Sequence, residues 1–152
     1  MVTPRVPLCS LIEALADMAH GLSGKQRAQA FADAGEKYAA ALEIKPDMHE
    51  ALNNWGSALI HQAHDLSGKD REACLEKAEQ KVREAARISG KPNYNLACVL
   101  ALQGRTDSAL DALEECERAG RLPSADHMEG DADLEGLRDQ PRFAALLGRL
   151  RG

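Results

Sequence analysis

A nine-residue segment of this chain occurs twice, 44 residues apart. The first copy is Ala19–Arg27 (AHGLSGKQR) and the second is Ala63–Arg71 (AHDLSGKDR), with seven identities in nine positions. The same offset continues without a gap through four apolar pairs: Phe31/Leu75, Ala34/Ala78, Tyr38/Val82 and Ala41/Ala85. A fixed period of this length is typical of repeat proteins, in which neighbouring copies of one unit bury a shared core.

The composition of the chain favours helices over strands. Ala and Leu supply 46 of the 152 residues, whereas Val, Ile and Thr together supply ten and the aromatic residues five. Ala and Leu head the helix-propensity scale, while strands favour β-branched and aromatic residues. The sequence therefore predicts an all-α fold.

Each repeat is predicted to form two helices. In the second repeat the first helix is expected to begin at a capping box, Asp47-x-x-Glu50, and the next to follow the turn Ser67–Gly68. Apolar residues recur at helical spacing on both: Leu52, Trp55, Leu59 and Ala63, then Leu75, Ala78, Val82 and Ala85. One such hairpin cannot bury its own apolar stripe, so neighbouring hairpins are expected to stack.

The residues around the junction of the two repeats resemble the tetratricopeptide repeat (TPR) family. The run from Ala34 to Pro46 is similar to that family's second helix and closing proline, and Glu50–Leu59 (EALNNWGSAL) to its first helix. Gly56 stands at the small-residue position where the two helices touch. A third copy of ordinary length runs from Tyr94 to Cys116.

The resemblance covers about residues 8–120 and implies an α-solenoid of stacked antiparallel hairpins. It implies a single domain, 1–152, with units at about 8–46, 47–91 and 92–120 and a short helical cap, 121–152. Within the cap, two short helices are expected from Asp131 onward, the second opening with Pro141. The first two units have 44 residues instead of about 34, so their hairpins are expected to be longer on both arms.

The charge distribution argues against nucleic-acid binding. The net charge is −5, and no basic patch of the kind that binds phosphates is present. Acidity is concentrated between Asp107 and Gln140, which hold eleven acidic and three basic residues. This segment is interpreted as a solvated acidic surface, with a docking face for a basic partner as the alternative.

Cysteine usage and hydropathy favour a cytoplasmic location. The four cysteines show no C-x-x-C spacing, and each is expected to act as a small apolar residue within a helix. No signal peptide is evident, since Pro4, Pro7, Glu13 and Asp17 interrupt the apolar start. No stretch approaches the length of a membrane-spanning helix.

The sequence offers little catalytic chemistry. Gly24–Lys25 and Gly68–Lys69 lack the first glycine and the preceding strand of a phosphate-binding loop, and are expected to be turn residues. No serine elbow, zinc-protease motif or dinucleotide fingerprint is present. The chain is therefore predicted to be no enzyme and to carry no cofactor.

Three histidines give a second, weaker hypothesis. His61 and His64 share a helix face, and His20 is the repeat equivalent of His64. The three rings could converge on a transition metal at the hairpin tip. The alternative is that these histidines are polar residues at an exposed helix end. Two histidines without a third confirmed ligand favour this alternative.

By resemblance, the chain is a scaffold that holds a protein or peptide in the concave groove of the superhelix. The groove-facing residues would be Glu13, Asp17, Asn53, Asn54, Ser57, His61, Tyr94, Asn95 and Cys98. Trp55 and Tyr38 fall at packing positions and are expected in the core. A self-associating regulatory or assembly module, with contacts through the hairpin tips, is the alternative function.

Two more distant resemblances lead to other expectations. Some relatives are co-chaperones that clamp a peptide carboxylate. Here Asn54 and Lys91 match that pattern, whereas Cys9, Glu13 and Asn95 depart from it. Plant mitochondrial import receptors also have lengthened repeats, but those proteins are anchored in a membrane.

Overall fold

The computed structural model describes residues 24–152, and every regular element within that range is helical. There are seven α-helices and one 3₁₀ helix in the described range: α1 (Gly24–Ile44), α2 (His49–Ala63), α3 (Gly68–Ser89), α4 (Tyr94–Leu102), α5 (Thr106–Arg118), α6 (Ala125–Gly130), the 3₁₀ helix (Ala132–Leu137) and α7 (Pro141–Arg151). The predicted all-α class is confirmed for these residues. The predicted helix Pro7–His20 lies outside them.

The chain divides into two compact units, the first ending at Ile88 and the second comprising Ser89–Gly152. Each is described by itself below. The assignment of the whole chain to one domain stays a prediction.

The two long helices of the first unit occupy equivalent positions in the repeat. α1 and α3 begin at Gly24 and Gly68, 44 residues apart, with φ values of +58° and +56°. Glycine adopts this left-handed conformation without the penalty that a Cβ brings, which explains why both repeats place Gly at the turn. All four apolar pairs that the offset aligns are buried in the structure.

Both arms of the second hairpin are longer than those of the third. α3 has 22 residues against 13 in α5, and α2 has 15 against 9 in α4. Each difference exceeds one helical turn of 3.6 residues, as the 44-residue repeat predicts.

The predicted capping box at Asp47 is wrong. Met48 is the N-cap residue of α2 and makes no side-chain cap, and the Asp47 carbonyl oxygen accepts from His49 N at 2.9 Å. Asp47 therefore belongs to the preceding turn, one residue too early for its carboxylate to cap the helix. Glu50 still lies in the first turn, where a negative charge favours the helix dipole.

In the first unit, α2 packs against α1 and α3 through small and aromatic side chains. Trp55 is buried and stacks on Tyr38, with ring centroids 6.2 Å apart. Gly56 faces Val82 and the Ala78 carbonyl of α3. The predictions that Trp55 and Tyr38 are core residues and that Gly56 marks a helix contact are confirmed.

In the second unit, α4 packs against α5 and the 3₁₀ helix. Four consecutive residues, Ala97 to Leu100, are buried, so the middle of α4 is enclosed on most sides. The predicted cap, 121–152, holds one more helix than expected, because Ser124 Oγ accepts from His127 N and starts α6 before Asp131. The 3₁₀ helix and α7, with Pro141 in its first turn, match the two helices predicted from Asp131 onward.

Between residues 24 and 152, no helix combines the length and the apolar character needed to cross a membrane. The three cysteines in this range, Cys74, Cys98 and Cys116, are buried and free, as expected for small apolar residues.

Candidate binding surface and polar cluster

One face of α2 is polar and accessible, while most of its remaining surface is buried. At about 100° per residue, the accessible face spans roughly a quarter to a third of the helix circumference. Its six members are exposed or half-buried: Glu50, Asn53, Asn54, Ser57, His61 and His64. We call this set the α2 polar face. It contains four of the nine residues predicted to line the groove.

The other five predicted groove residues do not belong to the α2 polar face. Glu13 and Asp17 lie outside the described residues. Tyr94 and Asn95 are half-buried at the start of α4. Cys98 is only 1% exposed, so its side chain is not available to a groove ligand, contrary to the resemblance. The reason is that the 3₁₀ helix packs on α4 and covers this position.

The proposed histidine metal site is only partly within the described chain. His61 is half-buried on α2 and His64, the residue that follows α2, is exposed, but His20 lies outside residues 24–152. Convergence of the three rings therefore stays a hypothesis.

Nearly half of the acidic residues between Asp107 and Gln140 are paired with the last helix. Three arginines of α7 reach across to carboxylates on α5 and α6. Arg142 bonds Asp111 and Glu114, Arg149 bonds Glu117, and Arg151 bonds Asp126 and Glu129. Five of the eleven acidic residues are thus engaged within the protein, which weakens the hypothesis of a docking face for a basic partner.

A polar cluster lies where α4 meets the turn between α6 and the 3₁₀ helix. The Tyr94 hydroxyl donates to Asp131 Oδ2 at 2.7 Å, and Asp131 Oδ1 accepts from Asp133 N at 2.9 Å, which caps the 3₁₀ helix. His127 Nε2 lies 3.9 Å from Asp131 Oδ2, and the His127 ring meets Tyr94 edge-on, with centroids 6.3 Å apart.

Cys98 also belongs to this cluster. Its Sγ lies within 4.8 Å of a carboxylate oxygen of Asp131 and of Asp133, and the two oxygens lie within the same distance of one another. Burial, followed by the nearby carboxylates, raises the pKa of the Cys98 thiol far above its usual value. Burial likewise raises the pKa of Tyr94, so both groups are neutral at physiological pH.

Sequence reasoning missed this cluster. Cys98 and Asp133 are 35 positions apart, and no local spacing connects them. The only signal was the pair Asp131-x-Asp133 before Leu134, which reads as an ordinary helix start.

Two lysine side chains of α3 lie over the Trp55 ring in the first unit. Lys77 Nζ and Lys81 Nζ lie 5.0 and 4.2 Å from the indole centroid. Partial burial and the neighbouring Lys77 lower the pKa of Lys81. These cation–π contacts cover the edge of the core and explain how Trp55 stays buried beside a charged helix face.

Comparison with protein-family models, with curated proteins and with solved structures gives no match for this chain.

Proposed function

We propose that the chain is a non-catalytic, TPR-like scaffold that binds a segment of a protein or peptide along the α2 polar face. The observation that supports this most is the character of α2. It is a helix packed between two neighbours, yet it keeps one polar face accessible. In the TPR architecture, the first helix of each hairpin presents this face to the groove.

The chemistry of the α2 polar face suits an extended peptide. Each Asn amide both donates and accepts hydrogen bonds, so Asn53 and Asn54 match the alternating N–H and C=O groups of a peptide backbone. From Glu50 to His64 the face is about 21 Å long, at 1.5 Å per residue. An extended segment of about six residues covers that length.

A peptide selection tests this proposal because it requires no named partner. Random peptides displayed on phage are selected on the wild-type chain and re-tested on the Asn53→Ala/Asn54→Ala variant. The matched control is Gln80→Ala, which removes an exposed amide from α3. We expect enriched peptides to lose binding to the double variant and to keep it with the control. Equal binding to all three proteins would refute the proposal that peptides bind along the α2 polar face.

Changing the C-terminus of the peptide distinguishes the carboxylate-clamp alternative from backbone recognition along α2. Selected peptides are synthesised with a free or an amidated C-terminus, and their affinities are compared. A clamp requires a large loss on amidation, whereas backbone recognition along α2 predicts little change.

The lengthened helices of the second hairpin leave self-association as the second candidate. The hairpin tip at His64 and Asp65 is exposed, and α3 is nine residues longer than α5. Sedimentation velocity at several protein concentrations distinguishes the two functions, because a strictly monomeric chain rules out assembly through the tips.

A further inference from the structure

We propose that Cys98, His127, Asp131 and Asp133 form a binding site for a divalent transition metal ion, with Zn²⁺ as the best match. The proposal concerns the second unit alone and does not depend on peptide binding by α2.

The donor atoms converge from separate elements of the fold. Cys98 comes from α4, His127 from α6, Asp131 from the turn and Asp133 from the 3₁₀ helix. The Cys98 Sγ and one oxygen of each aspartate lie within 4.8 Å of one another. His127 is not part of that close group of three, but its Nε2 lies 3.9 Å from Asp131 Oδ2.

The combination of donors is more informative than the two carboxylates alone. Exposed carboxylates often lie close together, but here a thiol that is 99% buried points at them. An imidazole from another helix approaches the same carboxylate. Sulfur, nitrogen and oxygen donors in a group of four are the set that Zn²⁺ takes in proteins.

The three closest donor atoms lie within 4.8 Å of one another, so only small side-chain rotations separate them from the metal–ligand bonds of about 2.0–2.3 Å that zinc makes. His127 is exposed and Asp133 half-buried, so both side chains have room to rotate toward the centre. Cys98 and Asp131 are held by packing and by helix capping and supply the fixed side of the site.

Tyr94 supports the site from outside. Its hydroxyl donates to Asp131 Oδ2 and so orients the carboxylate, as hydrogen-bonded outer groups do around protein-bound zinc. On binding, the Cys98 thiol loses its proton to solvent and the thiolate coordinates the ion, so one proton is released for each metal bound. The ion then ties α4, α6 and the 3₁₀ helix together.

Cobalt substitution tests the site directly. The full chain is stripped with a chelator, kept reduced with a phosphine and titrated with Co²⁺, whose thiolate charge-transfer band reports sulfur ligation. Zn²⁺ competition and circular-dichroism melting are measured on the same samples. We expect one Co²⁺ per chain, a thiolate band that Zn²⁺ abolishes, and a higher melting temperature with either ion.

Variants decide which residues bind. Cys98→Ala is expected to abolish the band and weaken Co²⁺ binding more than about 100-fold, since even loss of an outer hydrogen bond costs 10–100-fold. Asp133→Asn changes no buried apolar contact and is expected to weaken binding as well. The controls are Cys116→Ala, a buried thiol on α5, and Asp139→Asn, an exposed acid in the same unit.

Three results would overturn the proposal: no thiolate band in the wild type at a several-fold excess of Co²⁺, a band that persists in Cys98→Ala, or equal losses in the controls. Binding without the band would mean adventitious attachment to surface carboxylates. If Cys98→Ala does not fold, the wild-type band and the response of Asp133→Asn still decide the outcome.

Discussion

Val82 Cγ1 occupies the space that a Cβ on Gly56 would need. A side chain at Gly56 would overlap this methyl group and would lie 3.5 Å from the Ala78 carbonyl oxygen. The backbones of α2 and α3 therefore approach closely at Gly56. Gly35, in the interior of α1, faces only the Trp55 indole, at 3.5 Å.

Gly56→Ala is expected to destabilise the protein by about 1–2 kcal/mol. Overpacking a tight core contact costs about 1–3 kcal/mol, and the better helix propensity of Ala returns up to about 1 kcal/mol. Gly35→Ala is the matched control, because its new methyl group meets ordinary contact distances and the propensity gain remains. We expect Gly35→Ala to be neutral or stabilising. Chemical denaturation followed by circular dichroism measures both.

The double variant Gly56→Ala/Val82→Ala checks the cause. If the loss comes from the Val82 methyl group, then Gly56→Ala costs less in a Val82→Ala background than in the wild type. Strict additivity of the two changes would contradict the contact.

Trp55→Ala is expected to destabilise the first unit by about 3–5 kcal/mol, the usual cost of emptying a large aromatic site. Trp55 is 7% exposed, stacks on Tyr38 and carries the side chains of Lys77 and Lys81 over its ring. Guanidinium denaturation followed by circular dichroism measures the loss. A value below about 1 kcal/mol would place Trp55 outside the core.

The sequence was most informative where a pattern repeats. The offset of 44 placed Ala34 and Ala78 at equivalent buried positions, and the family pattern placed Gly56 at a helix contact. Burial of an apolar face imposes a period on the sequence, and a period can be recognised without coordinates.

The features that the sequence did not predict are single contacts between residues far apart in the chain. The hydrogen bond from Tyr94 to Asp131 spans 37 positions, and the ion pair between Arg149 and Glu117 spans 32. Such pairs impose no period, because each depends on how two elements pack. The capping box at Asp47 failed for a local reason, since backbone turn geometry moved the helix start by one residue.

Tyr94→Phe is expected to destabilise the second unit by about 1–2 kcal/mol, since the hydrogen bond it removes is made to a charged group. Removing the hydroxyl leaves the half-buried Asp131 without its phenol donor. A double-mutant cycle with Asp131→Ala separates this contact from the capping role of Asp131. A coupling energy near zero would show that the hydrogen bond contributes nothing to stability.

The three described cysteines are expected to resist thiol reagents in the folded protein. Cys74, Cys98 and Cys116 are at most 8% exposed, and burial raises the pKa of Cys116 to about 11. In a Cys9→Ser variant, Ellman's reagent should modify none of the three in native buffer and all three in guanidinium. Rapid reaction of one thiol in native buffer would contradict its burial.

The stability of the second unit is expected to fall in acid because of the arginines on α7. Hydrogen bonds from Arg142 and Arg149 lower the pKa values of Glu114 and Glu117. A carboxyl whose pKa is depressed on folding stabilises the protein fully above its unfolded pKa of about 4.3 and loses that contribution as the pH falls through the folded value. These pairs are accessible to solvent, so their contribution is modest and weakens further with salt.

Urea denaturation between neutral pH and about pH 3 measures this effect in the wild type and in Arg142→Gln/Arg149→Gln. The double variant should lose less stability on acidification, because the pKa values of Glu114 and Glu117 are no longer lowered by these arginines. Arg138→Gln is the control, since the nearest Glu135 oxygen lies 3.9 Å from its guanidinium, beyond hydrogen-bonding distance. Parallel pH dependence in the wild type and the double variant would show that α7 is held by its buried Phe143 and Leu146 and not by its charges.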